Sequence, residues 1–172
     1  MSIDLASLRI VHYPDPILRR RAKPLREIDD EVRDVARRMI ELMIEEEGVG
    51  LAAPQVGLPW RLFVCRDPDA PDACAEIYAN PVLRLHGEPA SREEGCLSLP
   101  EIRAPIRRPA AAVLQALDLE GRPVERSDEG FMARVWQHEF DHLNGVLIID
   151  RMSPLDRLAA RKALRTLEAE AG

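Results

Sequence analysis

The segment from Phe131 to Leu143 constrains the fold of this chain more than any other. Phe131, Met132, Val135, Trp136, Phe140 and Leu143 fall on several sides of a helix read from Asp128 or Glu129 through Leu143, so the rest of the chain must largely enclose it. The same stretch carries His138-Glu139-Phe140-Asp141-His142, a His-Glu-x-x-His pattern. Residues four apart lie one above the other on a helix face, so both imidazoles can reach one cation with Glu139 beside them as a base. Polar groups enclosed on so apolar a helix are costly without a partner, and a metal ion supplies one. The blander alternative is a pair of satisfied core histidines.

A chain of 172 residues suffices for one domain, residues 1–172, that buries roughly 70% of its unfolded surface. Val32, Val35, Ala36, Met39, Ile40 and Met43 recur at three- and four-residue steps, which predicts an amphipathic helix over Asp30–Glu47, ended by Gly48. Arg61–Cys65, Ala75–Tyr78 and Pro81–Leu85 are short apolar runs bounded by Pro, Gly and Asn, as strands are. Val113–Leu119, Glu120-Gly121 and Arg122–Glu125 predict a hairpin. Tyr13–Pro16 and Arg66–Cys74 read as proline-rich loops, and Ser153-Pro154-Leu155-Asp156 opens a last helix to about Glu168. The expected class is α+β: short antiparallel strands around a buried metal-bearing helix, with helices toward both termini.

Net charge is -6, from 24 Lys plus Arg against 30 Asp plus Glu, which argues against DNA as a partner. No apolar run approaches the roughly 20 residues of a membrane span and no secretion signal opens the chain, so a cytoplasmic protein is expected. Three cysteines in such a chain point to metal, catalytic or buried roles rather than disulfides. A catalytic metal takes three protein ligands and keeps one position open. Downstream of His142 the remaining candidates, Glu168 and Glu170, fall on a helix that reads as solvated. Upstream, Cys96 in Glu94-Gly95-Cys96-Leu97-Ser98 lies among small and polar residues, and it is the chosen third ligand. Cys65, within Phe63-Val64-Cys65, reads as core, and Cys74 as a loop residue. Gly48-Val49-Gly50-Leu51-Ala52-Ala53-Pro54-Gln55 permits close backbone approach but is no phosphate loop, lacking Gly-Lys-Ser/Thr.

Together Gly48–Gln55, Glu94–Ser98 and Gln137–His142 resemble, in order and without departure, the three motifs of the peptide deformylases. The resemblance runs from Ile10 to Leu155. It implies removal of the formyl group from N-formyl-methionyl nascent polypeptides by a metallohydrolase that typically uses Fe2+. It further implies that Cys96, His138 and His142 hold the ion and that Glu139 moves the proton. The oxyanion donors would be the Gln55 side-chain amide and the Leu97 backbone N–H. Zn2+, Ni2+ and Co2+ suit a Cys-His-His set equally well. The substrate would lie as an extended strand near Val49, Gly50 and Gly95, and Gly48, Val49, Phe131, Val135 and the His138 ring are the candidate walls of a methionine pocket.

Arg134 fits poorly in an apolar wall and is expected at the rim, facing solvent or substrate backbone. Asp141 either orients a ligand imidazole or caps local structure. From residue 151 onward five basic residues face three acidic ones, which suggests either a solvated helix face or a dock on ribosomal RNA. Two rivals remain at this level. One is a metallopeptidase cutting internal amides, with no need of Cys96 or Gln55; the other is a binding module that has lost catalysis, with no need of Glu139.

Overall fold

A computed structural model describes residues 3–70 and 74–171. Residues 71–73, inside the stretch read as a proline-rich loop, lie outside the described residues. Helix α1 spans Asp30–Glu45, β1 Gly50–Ala52, β2 Leu62–Cys65, β3 Glu76–Cys96, β4 Leu99–Leu117 and β5 Pro123–Asp128. Helix α2 follows at Phe131–His142, then α3 Ile148–Arg151, α4 Pro154–Ala159 and α5 Arg161–Glu170. The five strands form one antiparallel sheet in the order β1-β2-β3-β4-β5. Among the described residues, no helix is long and apolar enough to cross a membrane.

Helix α1 starts where the acidic cap predicts, with the Asp29 carboxylate accepting from the Val32 N–H at 2.9 Å. It buries Val35, Ala36, Met39 and Met43 against β1 and β2. It ends two residues before the expected Glu47, which takes a left-handed φ of 54° and turns the chain toward Gly48. The hairpin at Glu120-Gly121 forms as expected, its Asp118 carboxylate accepting from the Glu120 and Arg122 N–H groups.

The sheet departs from expectation in the length of β3 and β4. The runs at Ala75–Tyr78 and Pro81–Leu85 belong to one strand of 21 residues, paired along its length with a β4 of 19. Pro89 lies opposite Pro109 beside a register shift at His86/Pro89, and neither proline donates to the ladder. The predicted last helix is divided at Ala160, where ψ is -10°. The break lets α5 set Ala163, Leu164 and Leu167 onto the core beside Leu99, Ile106 and Leu147, while Leu155 and Leu158 on α4 stay exposed.

Helix α2 lies against β1, β2, β4 and β5, with Ala133, Val135 and Trp136 in the core. The Asp128 carboxylate accepts from the Gly130 and Ala133 N–H groups at 2.8 and 2.9 Å and so caps this helix from the end of β5. Beyond its C-terminus Gly145 has φ +72°, and a Cβ there would meet the Arg19 carbonyl oxygen at 2.4 Å. Glycine is required at that position on both counts.

Candidate metal centre and active site

Four elements deliver the candidate residues to one place. Cys96 ends β3, Leu97 and Ser98 form the turn into β4, and Gln55 sits on a short 3-10 turn that follows β1. Helix α2 brings Phe131, Val135, His138, Glu139 and His142 on successive turns. A cavity of about 470 Å3 opens there, and Gly48, Val49, Gly50, Gln55, Gly95, Cys96, Leu97, Phe131, Val135, His138 and Glu139 all line it. His142 lies behind its floor, 1% exposed.

One ligand atom from each of Cys96, His138 and His142 lies within 4.8 Å of the other two. The Cys96 Sγ is 3.3 Å from His142 Nε2, which is 3.2 Å from His138 Nε2. Bonds of about 2.3 Å to sulfur and 2.05 Å to nitrogen in a tetrahedral site give S···N edges of about 3.6 Å and N···N edges of about 3.3 Å. The two observed edges agree to about 0.3 Å, so this donor set fits a small transition-metal cation.

The surroundings set the charge of each group. His138 donates through Nδ1 to Glu94 Oε2 at 3.1 Å, leaving Nε2 toward the other two donors. Glu94 also takes Arg108 Nε at 2.7 Å, Arg108 Nη2 at 2.9 Å and Arg134 Nη1 at 2.6 Å. Burial alone would raise the Glu94 pKa, but the bonds from His138 and Arg108 outweigh it and hold the pKa at about 2. Burial likewise opposes charge on His138, yet Cys96 and Glu94 push its pKa up. Burial, then the neighbouring His138 and Arg108, push that of His142 down. Burial pushes the Glu139 carboxyl up to about 7, and its Oε2 has no hydrogen-bond partner among the described residues.

Gly50 makes room for that carboxylate: a Cβ there would lie 2.3 Å from Glu139 Oε1. The Gln55 side chain is fixed at both ends, its Oε1 accepting from the Ala52 N–H at 2.8 Å and its Nε2 donating to Ser98 Oγ at 3.3 Å and Cys96 Sγ at 3.6 Å. Cys65 is fully buried and Cys74 exposed, as read from the sequence.

Arg134 corrects an expectation. It does not face solvent: it is 8% exposed, and its guanidinium turns onto Glu94, the Ala90 carbonyl and the Ile106 carbonyl. The Asp141 carboxylate hydrogen-bonds neither imidazole among the described residues and instead accepts from Arg108 at 2.8 Å and Arg151 at 2.5 Å. Sequence reasoning assigned no role to Glu94, passed over Arg108, and counted Arg151 only among the basic residues toward the C-terminus. The alternation Ile102, Ala104, Ile106, Arg108 on the buried face of β4 is the signal that points Arg108 inward.

Comparison with known proteins agrees with this geometry. A family profile described as polypeptide deformylase matches residues 7–158. A peptide deformylase of Thermotoga sp. (strain RQ2) is 49% identical over 157 residues, which is 91% of this chain and 93% of that protein. The crystal structure of a peptide deformylase from Plasmodium falciparum superposes with TM-score 0.90 at 36% identity, covering 94% of this chain and 96% of that one. That from Thermotoga maritima gives 0.80 at 46% identity, covering 86% and 98%. Sequence motifs, fold and site geometry thus converge, and the chain belongs to the peptide deformylase family.

Proposed function

We infer that this protein hydrolyses the N-formyl group of formyl-methionyl polypeptides as they are synthesised, releasing formate and a free N-terminal amine. The observation that carries the reading is the convergence on one cavity of a Cys-His-His donor set, an amide donor and a buried carboxylate whose Oε2 has no partner among the described residues. One catalytic domain, residues 1–172, accounts for the activity.

Cys96, His138 and His142 would hold the cation, and Fe2+ is our assignment, with Zn2+, Ni2+ or Co2+ as substitutes. Such a cation supplies Lewis acidity toward the formyl oxygen and lowers the pKa of water. Glu139, buried beside the three candidate ligands, takes a proton from the attacking water and returns it to the leaving amine. As the formyl carbon becomes tetrahedral, the Gln55 Nε2–H and the Leu97 N–H donate to its oxygen. The Gln55 Oε1 bond to the Ala52 N–H fixes which end of the amide faces the site. The C–N bond then breaks, the nitrogen carries away the proton, and formate leaves.

The peptide lies extended along Val49, Gly50 and Gly95, recognised through backbone groups. Gly48, Val49, Phe131 and Val135 are assigned to the wall of the methionine pocket, and Leu99 and Ile102, which line the same cavity, join them in this reading. Formyl-Met-Ala-Ser tests the reading against acetyl-Met-Ala-Ser and an unblocked peptide with internal amides. Formate from the first alone is expected; internal cleavage would favour a metallopeptidase.

We place the enzyme in the cytoplasm, where nascent chains emerge. A contact with ribosomal RNA is assigned to the exposed cations Arg157, Arg161, Lys162 and Arg165 of α4 and α5. Salt-sensitive cosedimentation with ribosomes that is lost on charge reversal of these four supports it, and unchanged cosedimentation refutes it.

A further inference from the structure

We propose that Arg134 is a positioning residue: it completes the set of hydrogen bonds around Glu94 and so holds His138 in the orientation and tautomer that bind a cation. The proposal rests on the reading of Cys96, His138 and His142 as metal ligands.

Glu94 receives four bonds, two on each oxygen. Oε1 accepts from Arg108 Nε and Arg134 Nη1, and Oε2 from Arg108 Nη2 and His138 Nδ1. An ionised carboxylate has about four acceptor sites, so this one is saturated and can act on His138 only as an acceptor. The hydrogen of His138 is thereby placed on Nδ1 and its lone pair on Nε2, facing His142 Nε2 at 3.2 Å.

Arg134 supplies something Arg108 does not. Arg108 comes from β4 and is anchored at its far side by Asp141. Arg134 comes from α2, one turn before His138, so it ties the carboxylate to the helix that carries the imidazole. Its other bonds reach the Ala90 carbonyl of β3 at 2.7 Å and the Ile106 carbonyl of β4 at 2.9 Å. The register pairs Ala90 with Arg108 and Arg92 with Ile106, so Arg134 pins α2 to both strands beside the arginine that grips Glu94. It also lines the cavity, which joins the pocket wall to a ligand through one side chain.

Charge and positioning predict opposite signs. Within this ion-pair network Glu94 and Asp141 face Arg108, Arg134 and Arg151, a surplus of one positive charge. Removing Arg134 relieves that surplus, so electrostatics alone predicts tighter cation binding. Loss of positioning predicts looser binding.

The experiment loads the protein with Co2+ and follows its release into excess chelator by the loss of thiolate-to-cobalt absorption. Thermal melting of each metal-free protein is recorded alongside. Arg134→Met is expected to release Co2+ about 10- to 100-fold faster than wild type. Arg134→Lys should fall between, because a single ammonium cannot match a planar fork reaching three acceptors. If Arg134 acts through Glu94, Glu94→Gln combined with Arg134→Met should release Co2+ no faster, within about twofold, than Glu94→Gln alone. Release from Arg134→Met as slow as wild type, or slower, overturns the proposal. So do multiplicative effects in the double variant. Should Arg134→Met not fold, Arg134→Lys decides by the same two comparisons. A wild type that takes up no Co2+ overturns the metal-site reading and this proposal with it, a failure separate from a wild type and variants that hold it equally.

Discussion

Replacing Gly50 by alanine should separate catalysis from folding, because the three atoms nearest the added methyl all belong to Glu139. Its Cβ would lie 2.3 Å from Glu139 Oε1, 2.8 Å from Cδ and 2.9 Å from Cγ, whereas ordinary contact begins near 3.4 Å. The carboxylate must therefore retreat by about 1 Å, and a misplacement of that size costs on the order of 100-fold in rate. A 100-fold loss corresponds to about 2.7 kcal/mol of barrier. Gly50 is not among the positive-φ residues, so alanine brings no backbone strain, and alanine in a strand gains about 0.5–1 kcal/mol over glycine. Steady-state deformylation of formyl-Met-Ala-Ser should show kcat reduced about 100-fold, with bound-metal content unchanged and a melting temperature within about 5 °C of wild type. A kcat within about threefold of wild type would refute the steric argument. So would a loss that appears only in KM, which would mean the methyl obstructs the peptide and leaves the base in place.

Three further outcomes follow from the same geometry. In the metal-free protein Glu139 has a folded pKa of about 7 against 4.5 unfolded, so it contributes stability that is lost as pH rises between those values, while His142, pushed down by burial, works against it below pH 6.5; in urea melts the stability of wild type relative to Glu139→Gln should therefore fall as pH rises from 4.5 to 7. Glu94 acts with the opposite sign, its pKa of about 2 adding stability above pH 4.5 that is lost as pH falls toward 2, and Glu94→Gln should flatten that acid limb. Arg108→Met leaves the carboxylates of Glu94 and Asp141 short of a buried partner and should cost about 3–5 kcal/mol in denaturant unfolding; a cost under about 1 kcal/mol would show that Arg134 and Arg151 suffice.

Helices α1 and α2 and the histidine pair of the candidate site were legible because each leaves a local mark. Helix α1 has a three- and four-residue apolar period with an acidic start, and α2 displays His138, Glu139 and His142 within five positions. The long hairpin was not. Its arms carry Pro89, Pro105 and Pro109 with charges such as Arg92, Glu93, Arg103 and Arg107, and only pairing with the partner strand overrides those local signals. The Glu94 network was hidden for a related reason. Arg134 and Glu94 are 40 positions apart, and Arg108 and Asp141 are 33 apart. An arginine on an apolar helix is ordinarily placed at a rim with its head in water, and its burial here depends on a carboxylate from a distant strand.

In the proposed mechanism Glu139 moves the proton while Cys96, His138 and His142 hold the cation. The most direct measurement loads wild type and Glu139→Ala with Fe2+ under anaerobic conditions, and follows amine release from formyl-Met-Ala-Ser together with bound iron. Rapid turnover is expected of wild type, and of the variant a rate lower by about 100- to 10,000-fold with iron still bound. No turnover by iron-loaded wild type, or undiminished turnover by Glu139→Ala, would contradict that mechanism.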